Sequence, residues 1–244
     1  MSTPFILKLE HGAGLSNEDR QVLEHAIRDV RQFKPRHDLI LEDDSPENVH
    51  VIVEGFACRY KLLTDGGRQI MAYLVPGDCC DLHVAILRRM DHSIATLTAC
   101  KIALLPRKTV EDLTTRYPTI TRALWWATLV DAGTTREWVV NMGRRPADKR
   151  LAHLLCELLM RLQAVGLATD NSFVLPLTQR QLADTLAMTG VHLNRMVRQF
   201  RSKGLIVLRG HTITIRDVAS FKEFAEFNPN YLHLGQRLGE VRQI

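Results

Sequence analysis

Aromatic residues are scarce in this chain, long apolar runs are missing, and the five cysteines follow no pattern. They are Cys58, Cys79, Cys80, Cys100 and Cys156, an odd number with no C-x-x-C among them. That excludes a disulfide framework, a zinc ribbon and a thioredoxin-type motif, and fits thiols kept reduced in a cytosol. No stretch approaches the ~18 apolar residues of a membrane-spanning helix. The start, MSTPFILKLEHG, lacks a basic segment followed by an apolar one, so no secretory signal is expected and the expected compartment is the cytoplasm. Internal repeats and low-complexity segments are absent too. The most informative shortage is local. From Pro176 to Arg216 there is a single acid, Asp184, against seven basic residues: Arg180, Arg195, Arg198, Arg201, Lys203, Arg209 and Arg216.

The whole chain carries a net charge of +5, so its excess positive charge sits in that one stretch. Phosphate contacts need such a cluster, because lysine and arginine release the counterions condensed on DNA. A solvated basic face with no partner is the other reading of charge alone. The length of 244 residues suits one large or two small domains.

The texture of the chain changes along its length. Residues 16–32, SNEDRQVLEHAIRDVRQ, open with Ser16 and an acid three residues on, and Leu23, Ile27 and Val30 recur at helical spacing. From Asp38 to Leu105 short apolar runs (VHVIVEG, CRYKLL, IMAYL, IATLTA, KIALLP) alternate with turn signals at Gly55, Asp65-Gly66-Gly67 and Pro76-Gly77-Asp78. Strands at this spacing predict an antiparallel barrel or jelly roll. Helix returns over Arg107–Met142, with a seam at Leu124, Ala127, Val130 or Asp131, Thr134, Trp138 and Asn141. Gly143-Arg144-Arg145-Pro146 breaks it and marks a hinge. A second helix covers Ala147–Leu162, residues 166–175 read as a loop, and a helix capped by Asp217 closes the chain.

Between them lies TQRQLADTLAMTGVHLNRMVRQFRSK, Thr178 to Lys203. Thr178 caps a first helix whose Leu182, Ala183 and Leu186 face inward, and the small Ala183 lets a second helix cross closely. Ala187-Met188-Thr189 makes the turn, with Thr189 as cap of the second helix. Leu193, Met196, Val197 and Phe200 fall at i, i+3, i+4 and i+7, a buried stripe. The other face carries Gly190, Val191, His192, Asn194, Arg195 and Arg198. This is a helix-turn-helix, whose second helix enters a DNA major groove. Asn and Arg pair with adenine and guanine edges, and an apolar side chain touches a thymine methyl. Gly204 ends the helix. A hairpin follows, LIVL and TITIR joined by Arg209-Gly210-His211, whose basic tip suits an adjacent phosphate. The DNA-facing set is therefore Thr178, Gln179, Arg180, Thr189, Gly190, Val191, His192, Asn194, Arg195, Arg198, Arg209 and His211. An ordinary helical hairpin with a wet face is the weaker alternative, since caps, turn, stripe and basic wing all agree.

A β-rich N-terminal half, a long helix and a winged helix-turn-helix together resemble the Crp/Fnr family of bacterial transcription regulators. The likeness covers nearly the whole chain and is carried most specifically by LTQRQLADTLAMTGVHLNR and by GR-x-P-A-D-K-R-L-A-H-L-L. It implies an α+β fold: a cyclic-nucleotide-binding-like β-roll of jelly-roll type over residues 1–116, a connecting dimerisation helix over 117–142, and a winged helix-turn-helix domain over 143–244. It also implies a homodimer on a palindromic operator, with RNA polymerase as a further partner, no membrane association and no enzymatic activity. Better-known members have Glu where Val191 stands and Thr where His192 stands, so their operator consensus does not transfer. Arg195 matches the family's recurrent arginine. Trp125, Trp126 and Trp138 supply apolar surface either for pairing of the long helices or for packing on the chain's own β-roll.

The resemblance places an effector pocket at Gly77, Asp78, Cys79, Cys80, Asp81, Leu82 and His83, at His92 and Ser93, and at Thr135 and Arg136. The family's ribose-binding Glu falls on or near Leu82. Its phosphate-binding Arg falls on His92, a poor substitute for a permanent bidentate cation. cAMP binding of the family's usual kind is therefore not expected. The iron–sulfur cluster of oxygen-sensing members needs an N-terminal cysteine group, and the first cysteine here is Cys58. No metal and no cofactor is assigned, and the effector stays unidentified. The competing function is a signal-responsive β-roll adaptor that binds a ligand or protein and holds DNA only weakly.

Overall fold

The computed structural model describes residues 2–80 and 82–234. Two short helices come first. α1 (Pro4–Leu9) starts from a Thr3 cap, and α2 (Asn17–Ala26) from a capping box in which Ser16 and Asp19 each accept from the other's backbone N–H. The helix expected over residues 16–32 stops at Ala26. Val30 belongs to strand β1 (Val30–Phe33), held against Cys100–Ala103. Tertiary pairing overrides the helical spacing there, as β-branched and aromatic residues allow.

The roll continues through β2 (Asp38–Ile40), β3 (Asn48–Glu54), β4 (Ala57–Leu62), β5 (Arg68–Leu74), β6 (Cys79–Cys80), helix α3 (Val84–Leu87), β7 (Ser93–Thr96) and β8 (Cys100–Pro106). The strands form two antiparallel sheets, ordered β1-β8-β3-β6 and β2-β7-β4-β5. Gly55, at φ +87°, turns β3 into β4 where a Cβ would strike Ala99 O at 2.3 Å.

Side chains alternate between layers with the period of two that strands impose. Ile52, Ile102 and Leu104 of the first sheet meet Ala57, Leu74 and Ile94 of the second inside the roll. Val49, Val51, Ala103 and Leu105 point the other way, under α1, α2, α4 (Arg107–Arg116) and the start of α5 (Pro118–Arg144). The second sheet's outer residues, Cys58, Tyr60, Tyr73 and Ala95, share a cluster with the C-terminal domain. Both sheets are thus covered on both faces, which is why the strands read as continuous apolar runs.

Helix α5 runs on through Gly143 to Arg144, so the break lies at Arg145–Pro146 rather than at Gly143. Proline disfavours a helical conformation at the residue before it, and Arg145 is extended at ψ 139°. α6 (Ala147–Ala164) is buried on every side from Leu151 to Leu159 and fills the middle of the C-terminal domain. The stretch 166–175 is more than a loop: β9 (Ser172–Val174) adds a third strand to the wing, pairing with β11 (Thr212–Ile215), which pairs in turn with β10 (Ile206–Arg209). α7 (Gln179–Leu186) and α8 (Gly190–Ser202) form the helix-turn-helix, and α9 (Val218–Phe224) packs below it, with Phe221 edge-on to Phe200 at 5.8 Å. A single 3₁₀ turn, Pro229–Leu232, ends the described chain.

Candidate nucleic-acid interface and effector cavity

The reading head is built as its residues dictate. Thr178 and Gln181 form a reciprocal capping box at the start of α7. Ala187 takes the left-handed conformation, φ +46°, that ends this helix, and Arg150 of α6 donates to the freed Leu186 carbonyl at 2.9 Å. Thr189 then caps α8, accepting from His192 N at 3.2 Å. Leu193, Met196 and Phe200 are buried. On the opposite side Thr189, Gly190, Val191, Arg195 and Arg198 are exposed, with His192 and Asn194 half-buried. Thr178, Gln179, Arg180, Arg209 and His211 are exposed as well. Gln179 at the start of α7 accepts from Asn194 Nδ2 at 3.2 Å, which steadies that amide on the recognition face.

The electrostatics of this face depend on the other domain. Asp184, the lone acid of the basic stretch, points away from it. Arg68 of β5 holds its carboxylate through Nε at 3.0 Å and Nη2 at 2.7 Å. Beside this pair, Tyr73 OH and Thr185 Oγ1 share a buried hydrogen bond. The first helix of the motif is therefore docked on the β-roll, and the negative charge is neutralised on the docked side. What remains outward is cationic, as a duplex backbone requires.

The cassette that follows the Pro76-Gly77 turn, where the effector pocket is expected, is packed differently. Asp78, buried after the Pro76-Gly77 turn, accepts from Lys8 Nζ at 2.5 Å, Arg161 Nη2 at 2.6 Å and Val75 N at 2.7 Å. Burial alone would raise its pKa, but Lys8 and then Arg161 hold it below the usual carboxylate range. Gly77 sits at φ +96°, where a Cβ would come 2.7 Å from Pro4 O. Two small cavities flank Asp78, of about 40 Å³ and about 30 Å³. Pockets for drug-sized ligands occupy roughly 300–1,000 Å³. The larger one is lined by Lys8, Arg59, Asp78, Cys79, Leu82, His83, Thr128 and Asp131, among others. Across it Arg59 donates to Asp131 at 2.7 Å.

The expected effector residues thus divide. Asp78, Cys79, Leu82 and His83 line the cavity, Cys80 is in the core of the roll, and the rings of His83 and His92 lie 6.3 Å apart. Ser93 accepts from Glu42 N at 2.9 Å. Thr135 and Arg136 are exposed on α5 and line neither cavity, whereas Thr128 and Asp131 line the larger one. Asp81 lies outside the described residues. Sequence reasoning also missed Lys8, Arg59 and Arg161. The register of α5 held a signal for two of the lining residues, since Leu124, Thr128 and Asp131 share one helix face.

Behind the turn, Glu157 of α6 is fully buried and accepts from Trp138 Nε1 at 2.9 Å, Tyr231 OH at 3.0 Å and Arg161 Nη1 at 3.1 Å. Burial raises its pKa, with Arg161 the main opposing influence. His153, also buried, has its pKa pushed down to about 4 by burial and then by Arg145, although Glu137 Oε1 lies 3.2 Å from its Nε2.

Comparison with known proteins agrees with this geometry. The cyclic nucleotide-binding domain model matches residues 30–117, and the Crp-like helix-turn-helix domain model matches residues 149–224. The chain belongs to the Crp/Fnr family. It is 27% identical over 217 residues to the transcriptional activator protein FnrL of Cereibacter sphaeroides, covering 87% of this chain and 86% of that one. It is 26% identical over 215 residues to the nitrogen fixation regulation protein FixK of Bradyrhizobium diazoefficiens, covering 87% and 88%. The solved structure of FixK2 from Bradyrhizobium japonicum superposes with a TM-score of 0.72 at 25% identity, over 80% of this chain and 95% of that one. This Crp/Fnr regulator is a sequence-specific DNA-binding transcription regulator. Among its described residues no helix is long and apolar enough to cross a membrane.

Proposed function

We propose that the regulator binds a palindromic operator as a homodimer, reads it with α8, and acts on transcription through contact with RNA polymerase. The observation that carries this reading is the cationic outer face of α8 and the wing, from which Asp184 has been drawn away by Arg68. Val191, His192, Asn194 and Arg195 occupy the first turns of α8, the part of a recognition helix that meets base edges. Val191 offers no acceptor to cytosine, so the operator differs from those of members with glutamate there.

Support for the dimer comes from α5. Trp138 is turned into the chain's own core and Trp126 stacks on His11, but Trp125, Leu129 and Val139 remain 66%, 61% and 69% exposed. With Ala132, also exposed, they recur along one edge of the helix at the spacing of a coiled-coil seam. Two parallel copies would set their recognition helices roughly 34 Å apart, one duplex turn. The small, internally neutralised cavities beside Asp78 support a sensory domain that does not take cAMP in the family's usual way.

Selection of bound fragments from random DNA, with light scattering of the free protein, tests this reading. The expected result is an inverted repeat, a dimer at micromolar concentration and an affinity that falls steeply with salt. A monomer at that concentration, or recovery of unrelated sequences, would overturn it.

A further inference from the structure

A row of acidic and basic side chains crosses the boundary between the two domains. Lys8 on α1 holds Asp78 at 2.5 Å, Asp78 holds Arg161 on α6 at 2.6 Å, and Arg161 holds Glu157 at 3.1 Å. Glu157 in turn accepts from Trp138 on α5 and from Tyr231 near the C-terminus. Formal charges alternate along the row, so removing one member strands its neighbour in the interior.

Tyr231 belongs to a strap. Past α9 the chain turns at Glu226, φ +51°, and crosses α5 and α6. Phe227 sits edge-on to His153 at 4.9 Å, Tyr231 stacks on it at 6.1 Å, and Leu232 is buried. Gly133 on α5 leaves the room, since a Cβ there would come 3.1 Å from Tyr231 O. Glu226 pairs with Lys149 on α6, while Arg145 at the break pairs with Glu137 on α5 at 2.7 Å. The strap and the row therefore brace both sides of the Arg145–Pro146 break. They join α6 to the β-roll and α6 to α5 without approaching the recognition face.

We propose that Asp78, Arg161, Glu157 and Tyr231 determine operator half-site spacing, by fixing the angle between the dimer helix and the DNA-binding domain. This rests on the dimer reading above. In a paired molecule any tilt of α6 about the break is carried to α8 in both copies. A displacement of one base pair, about 3.4 Å, is enough to move a recognition helix out of register with its half-site. Through Asp78 and Arg161 the turn at Pro76-Gly77 then serves as the docking post of the reading domain.

The test uses the full-length protein and the selected operator at fixed salt. Affinity is measured for the palindrome, for a single half-site, and for palindromes whose spacer is one base pair longer or shorter. The variants are E157Q/R161M, which removes the middle of the row and leaves Asp78 with Lys8, and Y231F. In E157Q/R161M the palindrome is expected to lose about tenfold, within the usual range of coupling between sites, while the half-site changes by less than about twofold. The penalty for an altered spacer shrinks. Y231F moves the same way by a smaller factor and decides the matter should the double variant fail to fold. Equal losses on palindrome and half-site, or an unchanged spacer preference in folded protein, overturn the proposal. A wild-type protein that binds the palindrome no more tightly than the half-site overturns the dimer reading instead.

Discussion

The two domains treat positive charge in opposite ways. On the reading face Arg195, Arg198 and Arg209 stand in solvent, and Asp184, the one acid between Pro176 and Arg216, has been turned toward the β-roll. Around the cassette turn, Lys8, Arg59 and Arg161 are spent on Asp78, Asp131 and Glu157 within the chain. Cations left outside can exchange counterions for phosphates. Cations paired inside serve as internal struts and leave little room for a ligand's phosphate. The contrast sets a cationic reading face beside a turn whose charges are paired within the chain.

The largest effect that would break this contrast is expected at Arg161. Arg161→Ala leaves Glu157 buried without its cation, and urea denaturation should show a loss of about 3–5 kcal/mol, much of it recovered when Glu157→Gln is added. A loss within about 0.5 kcal/mol would mean that the buried row bears no strain on removal.

His153 comes next. Its folded-state pKa is about 4 against an ordinary 6.5. Below pH 6.5 the unfolded imidazole takes up a proton that the folded one refuses, so stability falls as pH drops from there toward 4. The full difference is about 3 kcal/mol at most. In His153→Phe the pH dependence of unfolding should be flatter in that window, and matching slopes would place the titration elsewhere.

On the reader, Arg195→Ala should cost about 1–3 kcal/mol on the operator and relax preference at one position, whereas Arg209→Ala should weaken all sequences alike and lower the salt slope by about one. Identical losses on operator and random DNA for both variants would undo the division of labour. The smallest effect belongs to the docking pair. Asp184→Asn gives up a partly exposed contact with Arg68, and thermal melting should register about 1 kcal/mol or less. Binding to random DNA should not weaken, because the charge removed does not face the duplex.

Much of the reader was legible beforehand because its chemistry is local. Caps at Thr178 and Thr189, the stripe Leu193-Met196-Phe200 and the Arg209-Gly210-His211 tip are all set by residues within a turn or two of each other. The sensor was legible only as a class of fold. Val30 obeyed helical spacing and became a strand, because β8 offered an edge to pair with. Ser172–Val174 lacked any strand signal beyond its apolar residues until β11 lay alongside. Thr135 and Arg136 line neither cavity beside Asp78, since the face of α5 that meets the roll is fixed by how the helix lies on it.

By itself the sequence determined the elements whose causes are short in range: the strand-rich first half, the long helix, the proline break and a basic helix-turn-helix. Only the tertiary structure decided which charges were left to meet DNA. Asp184 and Arg68 are 116 positions apart, and Asp78 and Arg161 are 83 apart. No local pattern encodes such pairs. They form because a carboxylate taken out of water must find its cation, and the fold brings that cation from the far side of the chain.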